Sequence, residues 1–449
     1  MREVYLYDSL KAGKRKFEPI VKDEVSIYYC GPTVYNFVHI GNIRPVLTFD
    51  LLTRVLSEIG YKVHCISNYT DIDDKIISKA LESNKSEKEV SDFYIKAYED
   101  CLTKLNCLPL EDHPRVSNYI PQIVEFISTI MSNGFAYKGE DGDIYFDVTK
   151  DPNYGEISKI DIQDLISGAR IETKADKRSP SDFALWKNTA DEGVKFETVL
   201  GKGRPGWHTE CVVMINSHFK KSTIDIHGGG FDLKFPHHEN ENAQQYAYKH
   251  AELANYWMHV GFINMGDEKM SKSLGNIVLA KDAIDKYGAN AIRYFFYTTS
   301  YRSPLSYTPE LLEKASSEVD RYVLALKKLE AKAGFLNVKF NAELDELAYE
   351  RFMNYLADDL SSANAISEIE AQVKKANILL RTSNLDLTQA SKVYNTLNKF
   401  FDIFGFKYEK VVLSDEDKEH YALYQKYRME KDYEKSDIYR KLLIERGLI

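Results

Sequence analysis

The spacing of apolar residues changes period several times along this chain, and the changes mark out its elements. Val25-Ser26-Ile27-Tyr28-Tyr29-Cys30 is a β-rich run closed by Gly31-Pro32. From Pro45 onward Phe49, Leu52, Val55, Leu56 and Ile59 recur at helical spacing until Gly60, and Lys62–Ser67 returns to a strand pattern. Strand, helix and strand in this order predict a parallel sheet with a right-handed crossover. Ligands of such sheets bind at the carboxyl ends of strands, where Cys30 and the loop Thr33–Asn42 fall. Farther on, Tyr119, Ile120, Ile123, Val124, Ile127, Ile130 and Met131 predict a helix, Gly139–Gly142 a hairpin turn and Ile144–Val148 a strand. Ser222–His227 is a strand that runs into Gly228-Gly229-Gly230, where backbone can come close to a ligand. Ala283–Tyr287 and Ala291–Phe296 read as helices, and from about residue 309 the pattern is helical to the end.

At 449 residues the chain is too long for one ordinary core, so about two to four domains are expected. Its 44% apolar and 28% charged residues describe a globular protein throughout. Met1-Arg2-Glu3-Val4-Tyr5 carries charge where a signal peptide needs an apolar run, and no window approaches a membrane span, so a cytoplasmic location is expected. The five cysteines, 30, 65, 101, 107 and 211, are odd in number and scattered, which predicts core thiols, metal ligands or nucleophiles rather than a disulfide framework. A formal charge of -9 speaks against a coat of basic residues, so any nucleic acid must be recognised locally.

Three stretches carry candidate chemistry. In Phe235-Pro236-His237-His238-Glu239-Asn240-Glu241 the spacing puts His237 and Glu241 on one helical face, with Pro236 suited to the first helical position and His238 and Glu239 facing elsewhere. This is either half of a metal site, with Cys211 the nearest further ligand, or a polar helix start with exposed histidines. Cys30 at a strand end and Cys211 before the apolar run Val212–Ile215 suit a buried thiol as well as a ligand. In His39-Ile40-Gly41-Asn42 the glycine admits a ligand to the backbone, the asparagine can donate hydrogen bonds, and the helix start attracts anions. Lys269-Met270-Ser271-Lys272-Ser273 offers two ammonium groups that could stabilise a phosphate as pyrophosphate leaves, or is a solvated loop.

The ordered pair of His39–Asn42 and Lys269–Ser273 resembles the paired motifs of class I aminoacyl-tRNA synthetases. With Cys30-Gly31-Pro32-Thr33-Val34-Tyr35-Asn36, Thr70-Asp71-Ile72-Asp73-Asp74-Lys75, Gly203-Arg204-Pro205-Gly206-Trp207-His208, Ile226-His227-Gly228-Gly229-Gly230 and Phe235–Glu241, almost the whole chain resembles the cysteinyl-tRNA synthetase family. The resemblance implies an α/β fold: a Rossmann-type parallel-sheet catalytic domain with a connective insertion, followed by a C-terminal α-helical bundle. It divides the chain into 1–115 and 203–265 as the two halves of the catalytic domain, 116–202 as the insertion near the tRNA acceptor end, and 266–308 as the lysine-serine loop and stem-contact segment. The anticodon-arm bundle follows at 309–400 and a short helical region at 401–449.

The same resemblance implies ATP-dependent activation of L-cysteine and its transfer to tRNA(Cys) by a monomer that does not touch membranes. One zinc ion would be held by Cys30, Cys211, His237 and Glu241, and magnesium would accompany ATP. His39, Asn42, Lys269 and Lys272 would be catalytic; His39, Gly41, Asn42, Gly228, Gly229, Lys269 and Lys272 would bind ATP; Thr70, Trp207, His227 and Asp232 would bind cysteine. The class motif usually closes with histidine where this chain has Asn42, and Lys187 is a candidate RNA contact or a snorkelling surface lysine. Two alternatives share parts of this pattern: a ligase that gives cysteine to a small amine, and a non-catalytic zinc protein that binds RNA.

Overall fold

The strand β1 (Glu24–Tyr29) is buried at every position after its first, as befits a parallel strand covered on both faces. The computed structural model describes residues 2–160, 177–188, 193–266, 268–270, 275, 277–382 and 384–449. From β1 the chain passes through helix α1 (Ile40–Ile59), which ends at Gly60, to β2 (Lys62–Ser67). After the insertion come α2 (Trp207–Phe219), β3 (Ile224–Gly230), α3 (Glu239–Lys249) and β4 (Ala254–Val260). The four strands form one sheet in the order β4, β3, β1, β2, every neighbouring pair parallel. Its register sets His227 beside Tyr28 and Ile27 beside Cys65. This is the parallel sheet that the strand and helix pattern predicts and the Rossmann-type architecture that the resemblance implies.

Two local expectations change. The α1 helix begins at Ile40, before the apolar periodicity becomes visible at Pro45, because its first turn mixes the exposed Asn42 with the buried Ile40, Ile43 and Arg44. Arg44 in that stretch is buried and donates to the carbonyls of Gly261 and Phe262 at 2.8 and 3.0 Å. Near Pro236 the chain makes an irregular wide turn over Lys234–His238, and the regular α3 helix starts only at Glu239.

The insertion has the helix Ile120–Ser132 and a five-stranded antiparallel sheet of Ala136–Lys138, Ile144–Phe146, Phe183–Lys187, Gly201–Pro205 and Phe196–Thr198 in that order. It shares a core with the parallel sheet: Tyr28, Ile66, Phe126, Phe146, Trp186, Val212 and Trp257 belong to one buried cluster. Burial of that size holds the insertion on the strands that carry the site.

The chain divides into two compact units, Met1–Ala283 with Tyr301–Ser306 and Ile284–Ser300 with Tyr307–Ile449. The second unit is helical, with Ala289–Tyr297, Pro309–Phe335, Glu346–Ala357, Ser362–Arg381, Leu387–Phe404, Asp415–Met429 and Tyr433–Glu445. Side chains of Thr308, Asp345, Asp386 and Ser414 cap four of these helices, and Phe352 stacks on Phe400 at 3.9 Å in its core. Among the described residues no helix is long and apolar enough to cross a membrane.

Candidate active site and metal centre

Every residue of α3 from Glu239 to Gln245 is buried, although all but Ala243 are polar. Buried polar groups must find partners, so such a run marks a built site. Glu239 turns to the insertion, accepting the amides of Gly155 at 2.9 Å and Ser158 at 2.7 Å. Asn240 follows it, accepting the hydroxyl of Tyr154 at 2.5 Å. Glu241 turns the other way, toward the carboxyl end of β1.

There Cys30 and Cys211 bring their Sγ atoms to 3.7 Å, and Glu241 Oε1 lies 3.9 Å from Cys30 Sγ and 2.9 Å from His237 Nε2. Tetrahedral zinc bound to two thiolates at about 2.3 Å holds the sulfurs about 3.8 Å apart, so the pair already has the spacing of a zinc site. Two thiols, an imidazole and a carboxylate within 4.8 Å of one another form a donor set that fits zinc. A second group, Cys30, His227, His238 and Glu241, converges as closely and shares two members with the first. His238 therefore does not face away as the helical spacing suggested: its Nε2 is 3.4 Å from Cys30 Sγ, because it leaves the irregular turn rather than a regular helix.

Charge within the cluster is mutually adjusted. Burial would raise the Cys211 thiol, but the Cys30 thiol and His237 bring it down to about 7. Burial would depress His237, yet Glu241 and Cys211 lift it to about 10. Burial likewise opposes ionisation of Glu241, and His237 and His227 overcome it, holding the carboxylate well below the usual range. Cys30, pushed up by burial and by Cys211, is the reluctant member.

Around these four stand residues that orient them. His227 donates from Nδ1 to the Tyr28 carbonyl at 2.9 Å and meets Glu241 Oε2 through Nε2 at 2.6 Å, so both ring nitrogens are engaged. His208 Nδ1 meets His237 Nδ1 at 3.1 Å, leaving His237 Nε2 toward the cluster. Asn68 accepts the Gly31 amide at 2.9 Å and donates to Thr70 Oγ1 at 3.2 Å; Thr70 in turn donates to Glu210 at 3.0 Å. Burial and the neighbouring Cys211 push the Glu210 carboxyl well above its ordinary value. Sequence reasoning passed over Glu210, Asn68 and His208. A charged residue directly before an apolar helical run, as Glu210 is, was the available signal.

Trp207 opens α2 and stacks on His237 at 4.3 Å, with 39% of its surface exposed, so it lines the mouth of the cluster. Asp232 lies exposed in the short turn Phe231–Leu233 after β3. At Gly228 a Cβ would meet the Met258 carbonyl at 2.2 Å and the Phe49 ring at 2.6 Å, so packing of protein alone demands glycine there. Gly229, next to it, adjoins the His238 ring.

At the start of α1 the His39 ring lies over Gly41, where a Cβ would come within 2.8 Å of the imidazole. Asn42 Oδ1 accepts the His39 amide at 3.1 Å, closing the helix start and leaving its Nδ2 as a donor. The His39 segment pairs with Leu279, and Ile40 donates to the Val278 carbonyl at 3.0 Å, so the chain after the lysine-serine loop is fixed beside this helix start. Lys269 ends the short strand Glu268–Lys269 paired with Ile263–Met265; Lys272 lies outside the described residues. Lys187 pairs with Asp74 at 3.2 Å, which Arg204 also binds at 2.7 Å.

An open parallel sheet with a helix start at its carboxyl ends is the fold of the class I tRNA synthetases. Mycobacterium tuberculosis methionyl-tRNA synthetase in complex with methionyl-adenylate shares it at a TM-score of 0.63 and 13% identity, over 85% of this chain and 89% of that one. Residues 16–317 match the model of the tRNA synthetases class I (C) catalytic domain, and residues 351–409 that of the DALR domain. The cysteine–tRNA ligase of Acholeplasma laidlawii is 41% identical over 444 residues, 99% of each chain, and that of Malacoplasma penetrans 42% identical over 430 residues, 95% of this chain and 96% of the other. The chain belongs to the cysteine–tRNA ligase family.

Proposed function

We propose that this protein activates L-cysteine with ATP, releasing pyrophosphate, and transfers the cysteinyl group from its adenylate to the 3′-terminal adenosine of tRNA(Cys). The observation that carries the reading is the cluster itself: two thiols 3.7 Å apart, with an imidazole and a carboxylate, at the carboxyl ends of β1 and β3. Its support is a family whose members match the chain from end to end at about 40% identity.

Cys30, Cys211, His237 and Glu241 would hold one zinc ion; of the two converging sets this one is preferred because it brings two thiolates. Bound there, zinc would supply a soft Lewis acid that favours a thiolate over the hydroxyl of serine, which is far from ionising at neutral pH. Trp207 walls the pocket, Thr70 and the exposed Asp232 hold the amino and carboxylate ends of cysteine, and His227 contributes by aiming Glu241.

The substrate carboxylate attacks the α-phosphate of ATP, so no side-chain nucleophile is needed. His39, the Gly41 backbone and Asn42 Nδ2 face the phosphates at the positive end of α1, Gly228 and Gly229 flank the nucleotide, and Lys269 and Lys272 neutralise the departing pyrophosphate. Magnesium accompanies ATP, bound to its phosphate oxygens. Residues 116–202 approach the acceptor end, 266–308 the stem, and 309–400 with 401–449 the anticodon arm. The protein acts as a cytoplasmic monomer.

The test is ATP–pyrophosphate exchange with cysteine and with serine, beside charging of tRNA(Cys) and zinc quantification on the same preparation. One zinc per chain, charging of tRNA(Cys), and exchange favouring cysteine by at least about a thousandfold are expected. Comparable exchange with serine would remove the zinc-selection argument. Exchange without charging would assign the acceptor to a small amine.

A further inference from the structure

Next to the adenylate-forming loop stands an aromatic surface that the proposed activation chemistry does not use. Phe37 lies two residues before His39, and Phe93 and Tyr94 lie on the helix Glu87–Lys104. Their ring centroids are 5.9 Å apart for Phe37 and Phe93, 5.3 Å for Phe37 and Tyr94, and 5.1 Å for Phe93 and Tyr94, all edge to face. Phe93 is 53% exposed, so the trio does not close a core. Two ammonium groups cover it: Lys281 Nζ 4.5 Å from the Phe37 centroid and Lys85 Nζ 5.8 Å from that of Phe93. Lys75 stands 5.5 Å over Tyr35 in the same loop. The acidic neighbours are partly neutralised: Asp92 pairs with Arg115 and Lys88, and Asp282 lies 3.7 Å from Lys281.

Exposed rings interleaved with lysines are the combination that binds single-stranded nucleic acid, bases stacking on the rings and phosphates meeting the ammonium groups. Lys281 follows Leu279, which pairs with His39, so the surface is continuous with the loop assigned to ATP. Of the substrates in the reading above, only the tRNA end brings both bases and phosphates beyond the ATP itself. We propose that Phe37, Phe93 and Tyr94, flanked by Lys85 and Lys281, form a stacking platform for the unpaired 3′ end of the tRNA. The proposal rests on the tRNA-charging reading and adds an entry surface to it.

The experiment compares Phe93→Ala, Phe93→Leu and Phe93→Trp in the full-length protein. The readouts are the KM for tRNA(Cys) in charging, cysteine-dependent exchange, and the fluorescence of tRNA(Cys) carrying 2-aminopurine at an unpaired 3′ nucleotide other than the terminal adenosine. The wild type should quench the fluorophore. Phe93→Ala should abolish quenching and raise the tRNA KM by roughly five- to 150-fold with exchange retained. Phe93→Trp should restore both and Phe93→Leu neither, which separates stacking from apolar packing. Wild-type KM and quenching in Phe93→Ala, or equal rescue by leucine, overturns the platform. So does a concentration-dependent dimer in sedimentation that Phe93→Ala dissolves, because a second copy then covers the surface. The quenching arm reads the platform even where charging fails, so loss of the broader reading is seen separately.

Discussion

Glu239 and Glu241 stand two residues apart, both fully enclosed, and glutamine at each position separates two tasks that the helix combines. Both oxygens of Glu239 accept backbone amides of the insertion, at 2.9 and 2.7 Å. In Glu239→Gln one oxygen remains an acceptor while an NH2 group faces the other amide. One charge-assisted hydrogen bond, about 1.5–3 kcal/mol, is lost and a buried donor is left unpaired at about 1–3 kcal/mol. Destabilisation of about 3 kcal/mol is therefore expected, with zinc content unchanged, since neither oxygen faces the cluster.

Glu241→Gln removes the negative charge whose Oε1 joins the ligand atoms and whose Oε2 meets His227 at 2.6 Å. Changes to partners one step beyond a ligand already cost about 10–100-fold in metal affinity, so losing the anionic ligand should cost at least about 100-fold, or about 2.7 kcal/mol. The assay is zinc transfer to a chromophoric chelator, run beside denaturant unfolding of zinc-free protein. Glu239→Gln should lower the unfolding midpoint and keep its zinc, whereas Glu241→Gln should surrender zinc far more readily. Equal zinc loss in both variants, with Glu239→Gln as stable as the wild type, would refute this division of labour.

Two other outcomes follow from the same geometry. Cys211→Ser should loosen zinc and depress cysteine-dependent exchange together; stoichiometric zinc with full exchange in that variant would remove Cys211 from the site. Burial, with Glu239 and Glu156 nearby, raises Asp151 to about 6, so its stability contribution is present at low pH and lost as pH rises through about 6. Asp151→Asn keeps an acceptor for the Asn153 amide and should stabilise the protein by about 1–3 kcal/mol at pH 8, the gain fading as pH falls from about 6 to about 4; unfolding free energies at pH 4, 6 and 8 check the sign.

The parallel sheet was legible because β1 is a β-rich run closed by Gly31, and Gly60 separates the helical spacing of α1 from the strand pattern of β2. The antiparallel sheet of the insertion was only partly legible, since its strands are three to five residues long and share their core with the other sheet. Helical spacing could match His237 with Glu241 but could not foresee the irregular turn at Lys234–His238, which swings His238 to Cys30. Lys187, open between an RNA contact and a surface lysine, is held in an ion pair with Asp74 through a contact 113 residues apart in sequence. Partners at that separation leave no periodic trace in the chain.

The cluster is tied to the sheet by a closed circuit that explains why donors from distant segments meet at a usable spacing. Cys30 follows Tyr29 at the end of β1, and the carbonyl of Tyr28 on that strand receives His227 from β3. His227 in turn holds one oxygen of Glu241, whose other oxygen comes back to 3.9 Å from Cys30. On the opposite side Asn68, after β2, holds the Gly31 amide and Thr70, and Thr70 holds Glu210 beside Cys211. Each thiol thus sits next to a residue hydrogen-bonded to the segment after β2, which holds the two sulfurs 3.7 Å apart by protein contacts alone. A donor set held in this way loses little conformational freedom on binding, and it cannot relax toward a ligand of different reach or softness. In the proposed reaction this rigidity would act together with the soft donor set, holding the site to the reach of a thiol rather than a hydroxyl.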